Sequence, residues 1–200
     1  METIQSDAEE AVRDLMTDAN EKIESYEHQF EEICNSSTMT LNDLPQAFSG
    51  LKLEINRLPD DLEREIKTKI ASDVTQNYTV EGWGHDVTLT TPEARAEKLW
   101  GIWKPMQWSS LQARVTDLKE RIVKAENIAK TMNSWSTRLF ILGRSTDKKK
   151  DLTKLIDNIL STTDWRDLPS DHAAFKNALA SLKEIARRLQ AASKPLAICT

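Results

Sequence analysis

Glycine is scarce in this chain, five in 200 residues, and proline is little commoner at six. Few glycines leave few positions for tight turns or phosphate-cradling loops. No Walker-type, dinucleotide-binding or Gly-x-Ser-x-Gly pattern occurs. The two cysteines, Cys34 and Cys199, are too few and too far apart for a disulfide framework. The longest apolar run, Leu139-Phe-Ile-Leu142, has four residues, far below the ~20 that a membrane span needs. The first ten residues carry neither the basic region nor the apolar core of a secretory signal. These absences point to a soluble, intracellular chain.

Histidine is also sparse. His28, His85 and His172 lie in three separate segments, whereas zinc or non-haem iron requires three or four ligands at characteristic spacing. His28 sits among glutamates on an acidic helix and His172 opens the last helix, so both read as surface residues. His85 with Asp86, beside Gly-Trp83-Gly, is the one pair that could serve a ligand. Adjacent acids such as Glu9-Glu10, Glu31-Glu32 and Asp60-Asp61 diverge on a helix and read as solvated. A di-iron Glu-x-x-His pattern is missing. The expectation is a non-enzyme with no catalytic residue, no metal site and no cofactor.

What the chain has is charge and helical period. Hydrophobic residues make up 39% and charged residues 30%. The net charge is −5, yet residues 1–33 set eleven acids against Arg13 and Lys22, a local −9 that leaves +4 elsewhere. Such asymmetry lets the acidic first helix lie beside basic later ones, within one chain or between chains.

Val12, Leu15, Ala19, Ile23, Tyr26, Phe30 and Ile33 recur at steps of three or four, one stripe along a helix of roughly 28 residues. Asp43 is placed to cap a second helix opened by Leu44 and Pro45, with Phe48, Leu51, Ile55 and Leu58 on its apolar face. Pro59 predicts a kink or a fresh start before Leu62, Ile66, Ile70 and Val74. Residues 77–91 lose the helical period and read as a long loop, with a short hairpin possible in it. Thr91-Pro92-Glu93 then restarts helix with a capping hydroxyl, proline at the first position and an early acid. Pro105 predicts another break.

The cleanest signal follows. Leu111, Val115, Leu118, Ile122, Ala125, Ala129 and Met132 alternate steps of four and three, three heptads of a coiled-coil pattern that needs a partner helix, intramolecular or not. After Ser134 and Gly143, Asp147 begins a helix with Leu152, Leu155, Ile156, Ile159 and Leu160. Ser170 caps a last one with Phe175, Leu179, Leu182, Ile185 and Leu189. The fold class is therefore all-α: a helical bundle of about six or seven helices, with long antiparallel pairs and one long irregular loop. Residues 1–76 form an N-terminal helical part, 77–91 the loop and 92–200 a C-terminal bundle part of one composite domain.

Two features bear on function. Six tryptophans are present, and indoles concentrate in bundle cores and at interface hot spots. Trp83, Trp100, Trp103 and Trp108 are the candidate partner surface, against core filling as the plainer reading. Arg138, Arg144, Lys148, Lys149 and Lys150 flank the apolar tetrad and are the candidate contact with an anionic surface. The plainer reading there is a solvated helix start beside a buried Leu-Phe-Ile-Leu turn. Nucleic acid is not favoured, given the acidic whole and the interspersed Asp147 and Asp151.

Arg138 to Asn158, an apolar turn followed by Asp-Lys-Lys-Lys and an amphipathic Leu-x-x-Leu-Ile helix, resembles the later part of fungal HeLo-type helical signalling domains. The resemblance implies a signalling role. Those domains begin with an apolar, Gly-rich helix and this chain with an acidic one, so no functional residue is carried over. The leading functional expectation is a protein–protein interaction or scaffolding module, acting on a protein partner or as a homodimer through residues 106–133. The alternative is a membrane- or anionic-lipid-associated signalling or toxin-like domain using 138–154.

Overall fold

The computed structural model describes residues 2–77, 91–145, 147–162 and 172–193. Among these are six α-helices and no strand, so the chain is all-α. The helices are α1 (Glu2–Asn35), α2 (Leu44–Asp73), α3 (Pro92–Ile102), α4 (Trp108–Gly143), α5 (Lys149–Ser161) and α6 (Ala173–Ser193), with a 3-10 turn at Thr75–Asn77. No helix among the described residues is long and apolar enough to cross a membrane.

Two compact units emerge. Unit one comprises Met1–Glu27 and Leu53–Lys119, and unit two His28–Lys52 and Glu120–Thr200. Helices α1, α2 and α4 each give residues to both units. The expected 77–91 loop lies almost wholly outside the described residues.

In unit one, α1 buries Ile4, Ala8, Val12, Met16, Ala19 and Ile23. Steps of four and three keep these side chains on one face. Against unit one's core α2 supplies Ile55, Leu58, Leu62, Ile66 and Ile70, and α4 supplies Trp108, Leu111, Val115 and Leu118. Arg114 of α4 pairs with Glu27 of α1 at 3.0 Å, so the charge asymmetry is used within the chain. Pro59 neither ends nor restarts the helix, as α2 runs unbroken from Leu44 to Asp73. Burial of Ile55 and Leu58 before it and Leu62 and Ile66 after it outweighs the one backbone hydrogen bond that proline removes.

The start of α3 follows the sequence pattern closely. Thr91 has extended backbone angles, its hydroxyl accepts from the Ala94 N–H at 3.2 Å, and Pro92 fills the first turn. Thr91→Ala should therefore cost about 1 kcal/mol, seen as a lower thermal midpoint; an unchanged midpoint would show the cap to be idle. Asp43 behaves otherwise than expected. Its carboxylate reaches back to the Thr40 N–H and hydroxyl, at 3.2 and 2.6 Å, and so stabilises the turn before α2 from the far side.

In unit two, Phe30 and Cys34 of α1 meet Phe48 of α2, Ile122, Ala125, Ala129 and Met132 of α4, and Phe175 and Leu182 of α6 in the buried set. Helices α5 and α6 pack on each other. The Lys183 ammonium donates to the Thr162 carbonyl at 2.6 Å. Helix α4 continues past Ser134 to Gly143, burying Leu139 and Leu142 as it goes. Gly143 suits the place where it ends, for a Cβ there would lie 3.3 Å from Leu189 Cδ2.

Candidate interaction surfaces

All seven heptad residues from Leu111 to Met132 are buried. The partner that the stripe requires is therefore intramolecular, and this stripe is not available to a second molecule. Contacts with other molecules fall to side chains that the core leaves outside.

The tryptophans divide. Trp100 and Trp108 are core residues of unit one, their rings edge-to-face at 4.8 Å between centroids, which corrects their reading as a partner surface. The Lys104 ammonium lies 5.1 Å from the Trp100 ring centre, covering it with a cation. Trp103 is half-buried and ends α3 through its N–H, which donates to the Leu99 carbonyl at 2.8 Å. Trp83 lies outside the described residues, as do His85 and Asp86. Next to Trp103 in the chain, the α3–α4 corner leaves Ile102 53% and Met106 85% exposed. Pro105 makes the corner: it is buried, and its carbonyl accepts from the Trp108 N–H at 2.9 Å, closing the turn that starts α4.

The basic stretch at the end of α4 in unit two also differs from expectation. Leu139 and Leu142 are buried, but Phe140 is 60% and Ile141 57% exposed. The apolar tetrad is thus not a buried turn. A helix places consecutive residues about 100° apart, so four in a row cannot all face one core. The Arg144 guanidinium stacks on the Phe140 ring at 3.9 Å, which is the i, i+4 neighbour relation. Arg138, Arg144, Lys148, Lys149 and Lys150 are all exposed.

Two grooves differ in the charge of their linings. One of about 580 Å³ in unit one runs between α2 and α3 over Ala71, Pro92 and Ala96. Its central Lys67 is held by Glu63 and Glu97 at 2.7 and 2.8 Å, and those hydrogen bonds raise the lysine's pKa. The other, about 320 Å³ in unit two, is walled by Met39, Leu44, Ala174, Ala178, Leu182 and Ile185 and has no charged residue in its lining.

Three buried side chains, Glu126, His172 and Cys34, escaped the sequence reading. Glu126 is 2% exposed and accepts from Ser49 at 2.7 Å, from Lys130 at 2.6 Å and from Lys52. Burial pushes its carboxyl up, but the bonds from Lys130, Lys52 and Ser49 prevail and bring it down to about 2. A heptad side position gave no hint of burial, though Lys130 four residues on was a signal of pairing. His172, expected at the surface, is buried, with its ring 5.9 Å edge-on to Phe30 and 6.2 Å from Phe175. Cys34 is buried in place of the predicted Ile33. Burial, then Glu31, push its thiol up to about 12 against the lowering pull of Arg121, so it stays protonated and is a poor nucleophile. Among the described residues no group of three or more His, Cys, Asp and Glu is placed to hold a metal ion.

Compared with known family models, curated proteins and solved structures, the chain matches none.

Proposed function

We propose that the chain is a non-enzymatic helical interaction module that binds a protein partner, or a second copy of itself, through the α3–α4 corner of unit one. The supporting observation is the exposure of Ile102 and Met106 beside half-buried Trp103, three large apolar side chains within five residues. Scattered apolar residues on a surface are ordinary, whereas such a group next to an indole is the composition of an interface centre. The packed pair Trp100–Trp108 supplies the rigid floor that a hot spot needs.

The heptad core is the wrong place to probe this reading. Leu118 is buried within the chain, so a charge there unfolds the protein without addressing association. Ile102→Glu with Met106→Glu is the informative variant. Light scattering over a range of concentrations, and recovery of partners on immobilised chain, are expected to show association in the wild type. The variant should lose it at least about tenfold, the effect of one hot-spot contact, while its helical circular dichroism stays unchanged. Equal association by wild type and variant removes the corner as the binding surface.

A further inference from the structure

We infer that the end of α4 and the start of α5 form a peripheral docking surface for an anionic lipid bilayer. Phe140 and Ile141 enter the interfacial region, and Arg138, Arg144 and Lys148–Lys150 face the lipid phosphates.

The first support is exposure. Helix α4 has already buried Leu139 and Leu142 in unit two, and it still carries Phe140 and Ile141 side by side in solvent. Adjacent large apolar residues that the fold leaves uncovered are matched by a surface that is apolar just beneath a charged layer. The second support is charge. Residues 138–154 hold six bases against Asp147 and Asp151. Among the described residues Arg138, Arg144 and Lys148–Lys150 make no ion pair within 4 Å with a carboxylate. Among the described residues their charges are thus not paired with a carboxylate, unlike those of Arg114, Arg121 and Lys67.

The third support is arrangement. Arg138 lies three residues before Ile141, and Arg144 four after Phe140, so cations and apolar side chains share one flank of the helix. Arg144 already stacks on Phe140, which keeps its long side chain along the apolar ring with the charged head at the edge. Nucleic acid is the other polyanion that cations attract. Ile141 has no stacking face for a base, and the side-by-side aliphatic and aromatic pair fits acyl chains better. The chain as a whole carries −5, so attraction to an anionic surface requires a local cationic face of this kind, acting within a Debye length of about 8 Å.

Co-sedimentation with vesicles decides. The full chain should pellet with phosphatidylcholine–phosphatidylserine vesicles at low salt, and not with phosphatidylcholine alone. The triple variant Lys148→Gln, Lys149→Gln, Lys150→Gln should lower the partition coefficient on the order of 100-fold, since each basic residue near such a surface counts roughly fivefold. Phe140→Ser with Ile141→Ser should weaken binding about tenfold or more and leave far less of it at raised salt. All five positions are exposed, so both variants keep the helical spectrum, which is checked first. No pelleting at low salt, equal pelleting with both vesicle types, or wild-type binding by both variants overturns the proposal. Tighter binding to a DNA duplex than to the anionic vesicles, at the same salt, also overturns it.

Discussion

Phe48→Ala is expected to lower the unfolding free energy by about 3–5 kcal/mol, read as an earlier midpoint in urea with helicity as the probe. The phenyl ring is fully buried. It lies 5.9 Å from Phe30, tilted by 51°, and 5.9 Å from Phe175, nearly parallel at 11°. Those neighbours come from α1 and α6, so truncation at one α2 position opens a void that three helices line. A rigid aromatic cluster cannot collapse into such a void without breaking its own ring contacts, which puts the cost at the high end for large-to-small changes. Phe140→Ala removes the same atoms from a site 60% exposed and should change stability by less than about 0.5 kcal/mol. If both substitutions cost the same, the aromatic cluster is not what holds unit two together.

Where sequence and structure agree, one physical rule is enough to explain it. The Leu111–Met132 stripe needed only the helical period, and every residue in it is buried. The Thr91-Pro92 start needed only the chemistry of four unsatisfied N–H groups, and the hydroxyl sits on one of them. Where they part, a tertiary term has overridden a local rule. Pro59 predicts a kink or a fresh start, and the fresh start does not occur, because apolar residues on both sides anchor the helix through it. Helix α4 runs on past Met132, the last residue of the heptad stripe, because Leu139 and Leu142 still find core to cover.

The surfaces were less legible than the core, for a related reason. Periodicity tells which face of a helix is apolar, not whether every apolar residue finds a place. Trp100 and Trp108 are as suited to an interface as to a core, and only packing at 4.8 Å assigns them inside. Phe140 and Ile141 are the reverse case, apolar by type and left out by the turn of the helix. His172 read as a surface residue at the start of the last helix, but it belongs to a ring cluster in which only Phe175 is a neighbour in the chain, Phe30 and Phe48 lying far away in sequence. Long-range assembly of that kind leaves no mark on a local pattern.

Glu126 supplies the second large effect, and its sign reverses with the partners present. Replacing Lys52 and Lys130 together by methionine leaves a carboxylate buried with the Ser49 hydroxyl donating at 2.7 Å, and should cost about 3 kcal/mol near neutral pH. Changing Glu126 to leucine in the same background should recover most of that loss, because an apolar trio of similar size carries no desolvation penalty. The pH dependence separates the two. In the wild type the folded carboxyl titrates at about 2 against an ordinary 4.5. Its stabilisation is thus complete above about pH 4.5 and drains away as pH falls towards 2. With both ammonium groups half-exposed, screening limits this to on the order of 1–2 kcal/mol. In the Lys52→Met, Lys130→Met variant, burial acts without the two strongest lowering bonds, so the carboxyl titrates higher in the folded state than in the unfolded one. Acid then stabilises the variant while it destabilises the wild type, and their unfolding midpoints should converge between about pH 7 and pH 4. Parallel midpoints across that range would mean that the lysines are not what keeps Glu126 charged in the core.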